Sequence, residues 1–277
     1  MRMSVGRLYV VLGLVAAGLA VSASEALAQY RPPARPAIGE DYHIEASYGW
    51  WNPEPSLIVN SEALGILGTD VNLVEDLGIE QKRLGKFDLV LRPAKKHRFR
   101  FQYVPIHYTV DNHQVTREFV FNGQRYNVGL PVTTDANFKT YRFGYEFDFL
   151  QFKRGFVGAL IDLKYTNVDV ELLSPIGSEF TTAAAPIPTF GGVARGYVTP
   201  NFAVTGEMSF VRVPDSLGEQ LGGDGSYTDF DFNGTYNFNR FVGAQVGYRS
   251  VHVFYDVDND NGSLKFKGIY FGGVVRY

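Results

Sequence analysis

Residues 140–149 read TYRFGYEFDF, and the alternation has a period of two. Tyr141, Phe143, Tyr145, Phe147 and Phe149 share one side of an extended chain, while Thr140, Arg142, Gly144, Glu146 and Asp148 share the other. One face therefore suits an apolar medium, and the other carries charges of both signs. A soluble two-sheet sandwich would show the same alternation in any one strand, so the decision rests on how often the pattern recurs and over what length.

Working outward, the pattern predicts ten strands. They run over Asp41–Trp51, Leu84–Pro93, His97–Val110, Asn137–Phe149, Gly155–Val170, Pro186–Val198, Phe202–Val213, Tyr227–Phe238, Phe241–Asp256 and Ser263–Tyr277. Phe87, Leu89 and Leu91 oppose Lys86, Asp88 and Arg92; Phe230, Phe232 and Tyr236 oppose Asp229, Asp231 and Asn233. Each segment has about the 9–11 residues that a tilted strand needs to cross a bilayer, longer than the strands usual in a sandwich. The expected fold class is all-β, an antiparallel transmembrane barrel over 41–277. One helix is allowed for, between Ser61 and Leu77.

Connections after Pro93, Leu150, Thr199 and Asn239 are short. Those over Asn52–Arg83, Asp111–Ala136, Glu171–Ala185 and Pro214–Ser226 are long, with Val257–Gly262 the exception. Short periplasmic turns alternating with longer outer loops place both chain ends in the periplasm. The first long link carries Val71, Leu73, Leu77 and Ile79 among polar residues, which suits either a cap over the barrel mouth or a surface loop.

Residues 1–28 read as an export signal: Arg2 and Arg7, an apolar run from Leu8 to Val21, then Ala26-Leu27-Ala28 before Gln29. Pro32, Pro33 and Pro36 make 29–40 an expected extended linker. The net charge of −3 argues against a nucleic-acid partner, which needs a clustered basic excess. With no cysteine, an exported chain must draw stability from something other than disulfides, and 22 Phe and 17 Tyr suit strands facing lipid.

At the C-terminal side, Tyr270-x-Gly272-x-x-Val275-x-Tyr277 resembles the terminal-strand motif of bacterial outer-membrane proteins, with Tyr where Phe is commoner. The whole segment pattern is similar to that of small outer-membrane β-barrel-domain proteins. The resemblance implies a place in the outer membrane of a Gram-negative-type bacterium, with the outer-membrane assembly machinery, outer-membrane lipids and lipopolysaccharide as partners. It implies a structural, loop-presenting or small-solute passage role, and no cofactor.

The predicted inward faces carry Asp88, Arg92, Arg98, Arg100, Arg142, Glu146, Asp148, Asp162, Lys164, Arg195, Glu207, Asp229, Asp231 and Arg249. A ten-stranded barrel is much narrower than the 16–18-stranded channels, so these charges are expected to pair across the lumen and not to line a wide pore. Three patterns bear on chemistry. Asp256, Asp258, Asp260 and Gly262 resemble the start of a calcium loop, but Lys267 stands where the closing Glu belongs, and Asn261-Gly262 suits a hairpin turn. Ser250 and His252 share a face, as in outer-membrane lipid A deacylases, but in reverse order and with no later Glu. Omptin proteases are ten-stranded with a His-Asp pair at the rim, for which His107, Asp111 and His113 are the nearest residues. The alternative function is accordingly an envelope enzyme acting on lipid A or peptides; no catalytic or metal residue is assigned.

Overall fold

The computed structural model describes residues 37–62, 66–213, 223–257 and 260–277, all within one compact unit. The expected signal peptide and most of the linker lie outside them. The described strands are β1 (Ile44–Ser61), β2 (Val71–Asn72), β3 (Leu84–Ala94), β4 (His97–Gln114), β5 (Phe119–Phe121), β6 (Gln124–Tyr126), β7 (Pro131–Phe152), β8 (Gly155–Ser174), β9 (Gly177–Tyr197), β10 (Phe202–Arg212), β11 (Gly223–Asn237), β12 (Val242–Val257) and β13 (Asp260–Arg276).

Ten of these form one antiparallel sheet in the order β1-β3-β4-β7-β8-β9-β10-β11-β12-β13, which closes when β13 pairs with β1 from Glu45↔Arg276 to Ser61↔Asp260. Closure rules out a two-sheet sandwich and leaves no edge along this seam. Ile44, Arg276 and the four short turns share one end of the barrel, the terminal end; the other is the loop end.

Most barrel strands extend past their predicted limits toward the loop end, and the reason is chemical. In β8, Asp162 and Lys164 point inward while Ile161, Leu163 and Tyr165 point outward; after Thr166 the inward residues are Val168, Val170 and Leu172, and the outward ones Asn167, Asp169 and Glu171. In β4, inward Arg98 and Gln102 give way to Val104, Ile106 and Tyr108, and outward Phe99 and Phe101 to His107 and Thr109. Through these residues the side-chain period holds, but the polarity of the two faces inverts. The barrel therefore has two storeys, one with an apolar exterior and a polar lumen, the other with a polar exterior and an apolar core. Tyr103, Tyr141 and Tyr165 mark the boundary on three adjacent strands, the first two stacked with centroids 4.9 Å apart.

Three expectations need correction. The link expected over Glu171–Ala185 is a two-residue turn at Pro175-Ile176, with Ser174 paired to Gly177, because both strands continue through the polar-exterior storey. Asn261-Gly262 is strand and not a hairpin turn, paired with Asp256 and Tyr255 in a ladder that runs on to Val257 and Asp260, and Asp258 lies outside the described residues. No helix forms between Ser61 and Leu77 among the described residues: β1 runs to Ser61, Asn72 Oδ1 accepts from Val74 N at 3.1 Å to hold a turn, and Gly78 leaves it at φ +72°.

Candidate functional site: the filled lumen

In the terminal-end storey the inward parity of neighbouring strands brings acids against bases. Arg98 donates to Glu146, to Asp148 at 2.9 Å and to Glu40 at 2.8 Å. Arg100 contacts Glu146 and Glu207, each at 2.7 Å. Arg142 reaches Asp162 at 2.8 Å and Glu207. Lys164 donates to Asp229 and Ser209, both at 2.8 Å, and its ammonium lies 4.3 Å from the centre of the Tyr227 ring. Arg249 makes two bonds to Asp229, and Lys86 reaches Asp231 at 3.0 Å and Asp88 at 3.6 Å. Arg195 lies 3.4 Å from Glu45, and Arg92 lies 3.8 Å from Glu40 at the rim. By these contacts the fourteen predicted charges fall into three linked sets, one running through Glu40, Glu146 and Glu207, one about Asp229 and one about Asp231, which together make up the charge network of the lumen. The cavity at its centre is ≈ 60 Å³, room for about two waters.

Four further members of this network stand outside the predicted set of inward charges, although Lys86 shares the polar face read for Asp88 and Arg92. Lys86, Glu45 and Arg276 follow the inward parity of their strands and were open to discovery by extending it; Glu45 and Arg276 close the β1–β13 seam by an ion pair. Glu40 precedes the alternating pattern and gave no signal. Residues 37–40, on the linker side of the expected boundary at 40, cross the terminal end: Ile38 N donates to Pro200 O at 2.7 Å, and Asn237 Nδ2 donates to Ile38 O at 2.9 Å.

The loop-end storey is filled by apolar side chains. Leu73, Leu77, Val71 and Ile79 from the first link and Phe119, Phe121 and Tyr126 from the β5–β6 hairpin pack with Trp51, Leu57, Val104, Ile106, Phe138, Leu172 and Phe266 of the wall. Of the two readings of the first link, the structure has the cap. Asn122 and Gly123, at φ 49° and 79°, form the tight turn that aims this hairpin inward. Arg117 latches the two connections, donating to Asp76 at 2.6 Å and to Asp70 O at 2.8 Å, and the bond to Asp76 raises its pKa above the ordinary guanidinium value. An apolar cavity of ≈ 30 Å³ separates this core from the charge network.

The remaining predicted residues are dispersed. Tyr270 faces inward, donating to Asp231 at 2.6 Å beneath the Lys86 ammonium, 4.0 Å from its ring centre. Gly272 sits where a Cβ would come within 2.4 Å of Tyr48 O across the seam, while Val275 and Tyr277 face outward. His252 meets Ser263 at 3.2 Å on the outward face, not Ser250. His107 bonds Asn137 at 2.7 Å and lies 3.7 Å from Asp135, also outward; His113 lies beside Gly78 in the loop layer. Among the described residues no hydrogen bond or ion pair joins His107, Asp111 and His113.

Comparison with protein families gives no match, and comparison with curated proteins gives none either. Among solved structures, the outer membrane protease OmpT from Escherichia coli aligns over 87% of this chain and 98% of its own at a TM-score of 0.57 and 8% identity. Ail, the attachment invasion locus protein of Yersinia pestis, aligns over 83% and 99% at 0.36 and 9%, and the Pseudomonas putida toluene transporter TodX over 86% and 90% at 0.33 and 8%. The latter two likenesses are too loose to bear on the fold. The chain is a closed ten-stranded antiparallel barrel whose fold is that of an outer-membrane barrel, similar to OmpT in architecture and not in sequence.

Proposed function

We propose that this protein is an exported outer-membrane barrel with a closed lumen, which holds a rigid polar-walled storey and its loops outside the membrane. The carrying observation is the inversion of polarity along unbroken strands. An apolar exterior belongs in lipid, and a polar exterior around an apolar core belongs in water. Beyond Tyr165, residues 166–174 continue β8 by roughly 30 Å at about 3.3 Å per residue, so the outer storey is a projecting structure and not a set of slack loops. The filled lumen supports a structural, loop-presenting role over solute passage. On this reading the short turns are periplasmic, the leader is an export signal, and the assembly machinery and the surrounding outer-membrane lipids are the partners. The likeness to OmpT supplies the fold and not its protease activity.

The chain has no cysteine, so single cysteines report cleanly. Ile176→Cys, at the exposed β8–β9 turn, is expected to react with a membrane-impermeant maleimide on intact cells, whereas Lys95→Cys, at a short turn, should react only after the envelope is broken. The reverse pattern, or recovery of the protein in a soluble fraction, would overturn the reading.

A further inference from the structure

The outward face at the storey boundary is not uniform. On β13, outward Phe271 and Ile269 are followed by outward Lys267 and Lys265; on β12, outward Tyr248 is followed by Ser250 and His252. The Arg83 guanidinium, at the start of β3, lies 5.9 Å from the centre of the Phe271 ring. The same face holds a shallow recess of ≈ 490 Å³, walled by Tyr248, Lys267, Ile269, Asn52, Gln81 and Glu54, with Lys267 as the cation in its wall. Gln81 is fixed there by a bond to Asn52 O at 3.1 Å. The wall on β7 and β8 has the opposite character, with Asp135 opposite Glu171, Asp169 beside them, and Lys139 as its base.

Lys265 and Lys267, next along β13 from Ile269 and Phe271, and Arg83 against the Phe271 ring put three cations beside an aromatic and aliphatic wall, which matches a ligand with an anionic headgroup over acyl chains. Glu54 offsets one of them, but its contact with Lys267, at 3.3 Å, is between exposed groups. Such a pair is worth little, and the ammonium is free to turn to a stronger anion. The polar walls of the recess add donors and acceptors suited to a sugar ring, and Tyr248 offers it an aromatic face. Resting on the outer-membrane reading above, we infer that the β12–β13–β1 face binds the phosphorylated sugar headgroup of an outer-leaflet glycolipid, with Arg83, Lys265 and Lys267 holding phosphate. Each basic residue near an anionic lipid surface contributes enough that losing all three should weaken binding by on the order of a hundredfold.

The test is native mass spectrometry of the detergent-purified full chain, titrated with bisphosphorylated lipid A, dephosphorylated lipid A or inorganic phosphate. Binding of one bisphosphorylated lipid A, weakened at least tenfold by dephosphorylation and by the Arg83→Gln/Lys265→Gln/Lys267→Gln triple change, is the expected result. Lys139→Gln, on the acidic side, should bind as the wild type. Equal binding of the dephosphorylated lipid overturns the inference without reliance on any variant. So does an equal loss in Lys139→Gln, or competition by inorganic phosphate at the same concentration as the lipid. Cell fractionation separates the two claims: absence from the outer membrane sinks the functional reading itself, whereas an outer-membrane protein indifferent to phosphate sinks only this site.

Discussion

Arg249 and Asp229 meet across β11 and β12 through two side-chain hydrogen bonds, of 3.0 and 2.9 Å, while the same carboxylate takes the Lys164 ammonium at 2.8 Å. All three groups are buried. The carboxylate thus balances two cations with no bulk solvent to replace it. Asp229→Ala is expected to cost about 3–5 kcal/mol, since it strands two buried cations. Asp135→Ala, on the outward face of the loop-end storey, should cost less than about 1 kcal/mol. Urea unfolding midpoints of the two variants in the same detergent check the contrast; equal shifts would contradict it.

Leu73 is fully buried in the cap, whereas Leu67, six residues earlier in the same link, is 74% exposed. Leu73→Ala should destabilise by about 2–5 kcal/mol, and Leu67→Ala should stay within about 0.5 kcal/mol. Hydrogen exchange of the segment 66–83 is the sharper readout, because it should accelerate in the first variant alone.

Cavities of ≈ 60 and ≈ 30 Å³ in series are too small to conduct hydrated ions. In planar bilayers the wild-type protein should give no steady single-channel current. Regular, reproducible steps at neutral pH would mean that the cap leaves the lumen.

Tyr126, in the β5–β6 hairpin, has its phenol pushed up to about 12 by burial. Its folded pKa exceeds the ordinary value near 10. The folded state therefore holds this proton more tightly, and its contribution is whole below pH 10 and lost as pH rises toward 12. The difference in stability between wild type and Tyr126→Phe should be constant up to pH 10 and change between 10 and 12. A difference that is flat through that range would remove burial as the cause.

The ten barrel strands and their inward faces were legible because a strand wall keeps one parity, and Tyr141 to Phe149 shows it undiluted. Strand ends were not. Reading a strand as apolar on one fixed face gives no reason to carry it on once that face has turned polar; in β8 that happens at Asn167, the expected strand ends at Val170, and the ladder continues to Ser174. The cap was half legible: Leu73 and Leu77 announced burial, but nothing local says which wall they meet. Arg142 and Glu146 were readable as inward charges, whereas the reach of Arg142 to Glu207, three strands away across the lumen, depends on closure.

The two storeys share a single reading frame. Because β8 pairs with β9 without a register shift, its side chains alternate unbroken, and one residue inserted after Tyr165 would leave the apolar-walled storey intact and exchange every position of β8 above it. Val168, Val170 and Leu172 would turn to water, and Asn167, Asp169 and Glu171 would turn into the core. Substitutions can be absorbed one at a time; changes in strand length on this wall must come in pairs.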